Sequence, residues 1–223
     1  MNCVNLEKKI GYKFKKKNLL LESITHKSYG NENGKPDNER LEFLGDSIIG
    51  LIVAKYLYTL FPDHDEGDLS KLKNQIVSSK SFCKIAKKLD LGSFMLLGRG
   101  ELKSGGRKRE SNLAGLFEAI VGAVYLDSGP RATEIFLNKF LLNQDFSKII
   151  DEDYKSILQI ISQKQFGSVP KYQIDKEVGR PHDKKFYVSV FINDIKQSSA
   201  IGKSKKIAQN NCAMKTLKKL KNL

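Results

Sequence analysis

The stretch Asn38-Glu39-Arg40-Leu41-Glu42-Phe43-Leu44-Gly45-Asp46-Ser47 places three carboxylates on one side of a predicted helix. With Glu39 set at 0° and about 100° per residue, Glu42 falls at about 300° and Asp46 at about 340°. The three carboxylates therefore share an arc of roughly 60°, and leucine and isoleucine side chains occupy the opposite side. An ordinary amphipathic surface helix would give the same pattern.

Further along the helix the same arc is apolar, because it carries Ile49, Val53 and Leu57 instead of carboxylates. The helix is therefore apolar on all sides beyond Ser47, which is typical of a buried element. Like charges this close raise one another's pKa unless a cation neutralises them. The segment predicts either a metal site or a solvated acidic face, and we favour the metal site.

Outside this segment, Glu118 is also notable, because it is the only charged residue between Leu113 and Leu126. An ionised carboxylate in an apolar helix is costly unless it is paired or bound to a metal. Pairing with Arg40 or a lysine is the simpler alternative. Oxygen ligands without a nearby set of histidines and cysteines favour Mg²⁺ or Mn²⁺ over zinc, and metal-assisted phosphodiester hydrolysis is the chemistry that suits a basic chain.

The chain has 223 residues, of which 40% are hydrophobic, and this is enough for one large domain or two modest ones. The apolar run from Leu113 to Leu126 is shorter than the roughly 20 residues that cross a bilayer, so we expect no membrane span. The N-terminus lacks the apolar core of a signal peptide. The three cysteines, at positions 3, 83 and 212, are far apart and predict reduced thiols. We therefore expect a cytoplasmic protein.

The charge is strongly positive, with 39 Lys+Arg and 25 Asp+Glu giving a net charge of +14. Residues 152–223 hold 15 Lys+Arg against 6 Asp+Glu, a net charge of +9, so the basic excess is concentrated in the C-terminal third. Such a balance indicates a polyanionic partner. A ribosomal protein, a nucleic-acid enzyme and a solvated basic surface without a partner all remain compatible with it.

The hydrophobic pattern divides the chain into two parts. Apolar positions at three- and four-residue spacing predict an all-helical domain over residues 1–146, with helices at 47–61, 69–89, 113–126 and 132–142. After Gln144 the pattern predicts helices at 154–165 and 204–220 that flank strands at 172–177, 185–192 and 195–201. Residues 153–223 are thus predicted to form a small α+β domain with the order α-β-β-β-α.

The last helix begins with an unusual concentration of lysines. Ser204 is a suitable N-cap, but Lys203, Lys205 and Lys206 surround it, although cations at this end oppose the helix dipole. Lysines beside free backbone N–H groups suit phosphate, while a generic basic turn is the alternative. Together with the first helix and the loop at 179–182, this gives three contact regions that match a double-stranded-RNA-binding domain, which reads duplex shape.

The sequence resembles bacterial ribonuclease III over essentially its whole length. Residues 38–47 match the family signature at every position. Further matching segments in the helical part are Thr25-His26-Lys27-Ser28, Glu66-Gly67-Asp68-Leu69-Ser70, Gly100-Glu101-Leu102-Lys103-Ser104-Gly105-Gly106 and Phe117-Glu118-Ala119. In the C-terminal part, Leu158-Gln159, Pro170-Lys171-Tyr172 and Ser204-Lys205-Lys206 match the family's RNA-binding domain.

The resemblance implies a Mg²⁺-dependent homodimer, with Mn²⁺ as a substitute, that cleaves double-stranded RNA to 5′-phosphate and 3′-hydroxyl ends with short 3′ overhangs. It also implies roles in ribosomal and messenger RNA processing, and no small-molecule substrate. By position, Glu42, Asp46 and Glu118 would hold the metal, with Asp46 and Glu118 most directly catalytic. Glu39 and Glu66 would assist RNA or metal binding. The implied RNA contacts are Gln159, Gln163, His182, Lys203, Lys205 and Lys206.

One position departs from the family pattern. An aspartate usually stands three residues before the glutamate that matches Glu118, and here that residue is Gly115. The site loses an oxygen ligand, for which Asn112 or an additional water would be the candidate replacement. A non-catalytic double-stranded-RNA-binding regulator with a decayed metal site is therefore the alternative function. A small-molecule metallohydrolase with an RNA-binding appendage is a weaker third reading.

Overall fold

The computed structural model describes residues 3–62, 64–143, 153–180 and 184–220. The chain divides into two compact units, Met1–Gln144 and Asp145–Leu223. His182, one of the residues expected to contact RNA, lies outside the described residues.

The described part of the first unit is helical, as the hydrophobic pattern predicts. Its α-helices are α1 (Cys3–Ile10), α2 (Lys17–Ser23), α3 (Lys27–Asn33), α4 (Glu39–Leu60), α5 (Glu66–Ile76), α6 (Ser79–Lys88), α7 (Arg99–Lys103) and α8 (Glu110–Leu137). Short 3₁₀ turns (Leu91–Phe94 and Gly106–Lys108) flank α7, and a π-helical turn (Asn138–Leu142) follows α8. The prediction of an all-α first domain is confirmed.

One helix differs from the prediction, and one predicted break lies at a kink. The expected single helix over 69–89 is wrong, because Val77 leaves the helical conformation and Ser78 begins a new helix by accepting a hydrogen bond from Ser81 N. The helices expected at 113–126 and 132–142 are separate helical segments, because Gly129, whose φ is +76°, leaves the helical conformation within the range of α8. Pro130 follows this glycine, and as the first residue of the second helical segment it needs no N–H partner.

The core of this unit is built around the pair α4 and α8, which pack together more extensively than any other two described elements. Ile49, Val53 and Leu57 of α4 are almost fully buried in this contact. By length and composition α4 is the one described helix that could cross a membrane. We interpret it as a core helix, because one of its faces packs on α8 and its first turn carries Glu39 and Glu42.

The second unit has the predicted α-β-β-β-α order within its described residues. It consists of α9 (Tyr154–Phe166), the antiparallel strands β1 (Lys171–Val178), β2 (Lys185–Ile192) and β3 (Ile195–Gly202), and α10 (Lys205–Leu220). Positive φ angles at Asn193 and Asp194 form the tight turn between β2 and β3. Val188 and Val190 of β2 are fully buried, and α10 packs against β2, β3 and α9.

Candidate active site and RNA-binding surface

Glycines bring the backbones of α4 and α8 into direct contact. A Cβ atom on Gly45 would overlap the carbonyl oxygen of Glu118, and one on Gly122 would overlap the carbonyl oxygen of Leu41. Only glycine allows two helices to approach this closely, because any side chain would force the backbones apart. The crossing therefore places the start of α4, which carries Glu42 and Asp46, beside Glu118.

The electrostatics of Glu118 reflect this placement. Burial and, after it, the nearby charges of Glu42 and Asp46 together raise the pKa of the Glu118 carboxyl from its ordinary value to about 8. The pKa of Glu42 is also raised, first by burial and then by the charges of Glu39 and Asp46. Neither Arg40 nor a lysine acts on Glu118, so the pairing alternative finds no support among the described residues. A cation would stabilise a half-buried carboxylate that lies among like charges.

The same region contains a niche at Gly115, which the Glu42 carboxylate fills. A Cβ atom on Gly115 would lie 2.7 Å from Glu42 Cδ and 2.9 Å from Glu42 Oε1. The donors are all oxygens, which fits a hard divalent cation such as Mg²⁺. In the described part of the chain, no three His, Cys, Asp or Glu side chains already converge as a finished ligand set. The residues thus fit a cation in their donor chemistry.

Asn112 has other partners in the structure. Its Nδ2 donates hydrogen bonds to Glu101 Oε1 at 2.7 Å and to the Gly106 carbonyl oxygen at 3.1 Å. Glu101 also accepts from Arg109, and the hydrogen bond from Asn112 is the main reason that the pKa of Glu101 is lowered. The Asn112 amide therefore ties α8 to the segment around α7. The sequence does not predict this structural role of Asn112.

The two assisting carboxylates lie in different surroundings. Glu39 is exposed and forms an ion pair with Lys27, with 2.9 Å between Oε1 and Nζ. Glu66 opens α5 and accepts a hydrogen bond from Ser70 Oγ at 2.7 Å, and it is not among the charges that shift Glu42 or Glu118. The structure therefore brings Glu42 and Asp46 near Glu118, with Glu39 near Glu42, whereas it places Glu66 at a separate groove.

That groove belongs to an exposed apolar face of α4 that the sequence analysis missed. Phe43, Leu51 and Tyr58 are 78%, 70% and 75% exposed. The groove beside this face has a volume of about 740 Å³ and is lined by Leu51, Tyr58 and residues of α5 including Leu69 and Glu66. Large apolar side chains left this exposed on one helix mark an interaction surface. The sequence signal is present, since α4 is apolar on all sides, but it does not distinguish the buried face from the exposed one.

In the second unit, the predicted phosphate-binding lysines lie at the start of α10. Lys203, Lys205 and Lys206 are exposed, and Ser204 Oγ accepts a hydrogen bond from Ile207 N at 3.2 Å. Lys205 Nζ is 3.6 Å from Glu177 Oε1 at the end of β1, and Lys184 pairs with the other oxygen of the same carboxylate. The structure thus brings the lysines together but also gives Lys205 an acidic partner within the domain.

The predicted minor-groove residues of α9 are half-buried. Gln159 and Gln163 are both half-buried. The Gln163 Oε1 atom itself is buried and has no hydrogen-bond partner among the described residues. Asp153 caps α9 by accepting from Ser156 N at 3.2 Å, and Lys155 N donates to Asn210 Oδ1 at 3.0 Å. The bond from Lys155 to Asn210 holds the start of α9 against α10, so the two helices present their polar residues from a fixed scaffold.

Comparison with known protein families gives a match to each unit. Residues 16–145 match the family described as Ribonuclease-III-like, and residues 154–220 match the double-stranded RNA binding motif. The chain is similar to the protein called Ribonuclease 3 in Campylobacter fetus, with 44% identity over 217 residues that cover 95% of each chain. The Ribonuclease 3 of Carboxydothermus hydrogenoformans is 42% identical over 227 residues, covering 99% of this chain and 97% of that one.

A solved structure gives the same result for the first unit. The nuclease domain of ribonuclease III from Campylobacter jejuni is 42% identical and has a TM-score of 0.59, covering 61% of this chain and 94% of that one. Its description refers to a region involved in dimer formation of that nuclease domain.

Proposed function

The chain belongs to the ribonuclease III family of double-strand-specific endoribonucleases, and on this premise we propose that it cleaves duplex RNA by Mg²⁺-dependent hydrolysis. Residues 1–146 form the catalytic domain and residues 153–223 the RNA-binding domain in this proposal. The observation that carries it is the position of Glu118, half-buried beside Glu42 and Asp46 at the glycine-mediated crossing of α4 and α8. A half-buried carboxylate held among like charges is costly for stability and useful for binding a cation.

In the proposed mechanism Glu42, Asp46 and Glu118 would hold Mg²⁺, with Mn²⁺ as a substitute, and the bound cation would supply Lewis-acid activation of water and of the scissile phosphate. Asp46 and Glu118 lie on opposite helices of the crossing and orient the reacting groups from two sides. Glu39 and Glu66 assist RNA or metal binding from positions outside this pair. The expected products carry 5′-phosphate and 3′-hydroxyl ends with short 3′ overhangs.

The proposed assembly is a homodimer formed through the exposed face of α4. A second copy suits Phe43, Leu51 and Tyr58 because large apolar side chains in the centre of an interface contribute most of its binding energy. The reference to dimer formation in the Campylobacter jejuni nuclease domain supports the same assembly. Two active sites in one dimer would allow both strands of a duplex to be cut in one encounter, which is how staggered ends arise.

The C-terminal domain contacts duplex RNA in this proposal through α9, the β1–β2 loop and the start of α10. Gln159 and Gln163 approach one minor groove and His182 the next, while Lys203, Lys205 and Lys206 contact the phosphates between them. The substrates are ribosomal and messenger RNA precursors in the cytoplasm rather than any small molecule.

The proposal is tested by a time course of the purified protein on a long perfect RNA duplex with Mg²⁺, with a single-stranded RNA of the same sequence as the control. We expect metal-dependent cleavage of the duplex alone, loss of cleavage in EDTA, and recovery with Mn²⁺. Glu118→Gln should abolish cleavage while duplex binding is retained. Tight binding without cleavage in either metal would refute the hydrolytic proposal, and products with 3′-phosphate ends would refute the proposed end chemistry.

A further inference from the structure

Gly115 lies in α8, three residues before Glu118, and contacts the Glu42 carboxylate of α4. A Cβ atom at this position would approach Glu42 Cδ to 2.7 Å and Oε1 to 2.9 Å, and would come still closer to Oε2. Cβ atoms are essentially never found within 3.0 Å of a non-bonded heavy atom. The Glu42 carboxylate therefore fills the space that any side chain at position 115 would need.

We infer that Gly115 is a positioning residue, which leaves a niche on α8 that holds the Glu42 carboxylate on the same side of the helix as Glu118. This inference rests on the proposed function, because the carboxylate matters here as a metal ligand. Residues three apart are neighbours on one helix face, so a carboxylate seated on Gly115 lies beside residue 118. The backbone contact at Gly45 fixes the part of α4 from which Glu42 reaches across.

In this structure the niche holds one carboxylate, which α4 supplies. An alanine at position 115 would displace Glu42, whose flexible side chain is able to move away at little cost in stability. An aspartate at position 115 would bring its own carboxylate to the same place from α8. The inference therefore predicts that position 115 controls metal affinity through Glu42, and that the carboxylate is transferable between the two helices.

The experiment measures binding of Mn²⁺ to the full-length protein without RNA, by electron paramagnetic resonance of the free ion. Four variants are compared with the wild type: Glu42→Ala, Gly115→Ala, the double variant Glu42→Ala with Gly115→Asp, and Gly100→Ala. The last is the matched control, because Gly100 lies in α7 and a Cβ atom there meets nothing within 4 Å. Thermal unfolding of each variant confirms that it folds.

We expect Gly115→Ala to weaken Mn²⁺ binding by about 10-fold, as is usual when a residue that orients a metal ligand is lost, and Gly100→Ala to bind as the wild type does. The double variant should recover most of the affinity that Glu42→Ala loses. In cleavage assays, Gly115→Ala should raise the Mn²⁺ concentration needed for half-maximal activity.

Two outcomes would overturn the inference alone. The first is wild-type Mn²⁺ affinity in Gly115→Ala, and the second is a double variant that binds no better than Glu42→Ala. If Glu42→Ala itself binds Mn²⁺ normally, then the metal-binding role of Glu42 in the proposed function fails as well. The Glu42→Ala measurement thus separates a failure of the niche from a failure of the metal site.

Discussion

Replacing Glu118 with glutamine should stabilise the metal-free protein at alkaline pH and leave it nearly unchanged at acidic pH. The pKa of Glu118 is raised from 4.5 to about 8, mainly by burial and then by Glu42 and Asp46. The folded state therefore holds this proton more tightly than the unfolded chain does. Its contribution to stability is fully present below about pH 4.5 and is lost as the pH rises through 8. Glutamine has nearly the same shape and carries no charge at any pH.

The size of the effect follows from the pKa difference. At about 1.4 kcal/mol for each tenfold change, the rise in the pKa corresponds to roughly 5 kcal/mol. Because the side chain is only partly buried, screening by water reduces this to about 2 kcal/mol. For a chain of this length, we expect Glu118→Gln to unfold about 4–8 °C above the wild type at pH 9, with a much smaller difference at pH 5.

The assay is thermal unfolding in EDTA, followed by circular dichroism at both pH values. Glu110→Gln is the matched control, because Glu110 is also in α8 but its side chain is 71% exposed and paired with Lys87 at 3.0 Å. Excess Mg²⁺ at pH 9 should raise the Tm of the wild type more than that of Glu118→Gln. An equal Tm difference between Glu118→Gln and the wild type at pH 5 and pH 9 would refute the reasoning, since the carboxylate would then carry no pH-dependent cost.

Three further predictions concern the other surfaces. Replacing Lys205 and Lys206 with alanine should weaken duplex binding and reduce the slope of log affinity against log salt by about 1 to 2; an unchanged slope in a titration with labelled duplex would place the phosphate contacts elsewhere. Phe43→Asp should convert the dimer to a monomer in sedimentation velocity, whereas Ile195→Asp, at a residue that is 66% exposed in the second unit, should not; a dimeric Phe43→Asp protein would exclude this face of α4 as the interface. Gly45→Ala should destabilise the protein by about 1–3 kcal/mol in urea unfolding, because its Cβ atom would overlap the Glu118 carbonyl oxygen, and wild-type stability would contradict the close crossing of α4 and α8.

Much of the architecture could be predicted from the sequence because its signals are local. Helical periodicity, the strand alternation around Val188 and Val190, and the Asn193-Asp194 turn each depend on neighbouring residues. The shared arc of Glu42 and Asp46 follows in the same way from helix geometry. The break after Val77 was missed because Leu69–Leu89 keeps its apolar spacing across it, and only the cap formed by Ser78 reveals two helices.

The features that could not be predicted depend on contacts between distant residues. From the sequence, Gly115 indicates that the site lacks one carboxylate. In the structure, the Glu42 carboxylate of another helix occupies the space beside Gly115. The sequence suggests Asn112 as a replacement metal ligand, but its amide donates a hydrogen bond to Glu101. The exposure of Leu51 could not be read from a helix that is apolar on all sides, because such a pattern does not show which face lacks a partner.

The glycine contacts between α4 and α8 also bear on how the protein can change over evolutionary time. At Gly45 and Gly122 the two helices meet through main-chain atoms, so the spacing between them does not depend on the rotamer or size of an intervening side chain. Substitutions elsewhere in the core, such as among the aromatic residues Phe82, Phe117 and Phe136, can therefore repack and drift in volume without moving the carboxylates relative to one another. Substitutions among these aromatic residues can therefore raise or lower the stability of the protein while the geometry of the candidate active site stays the same.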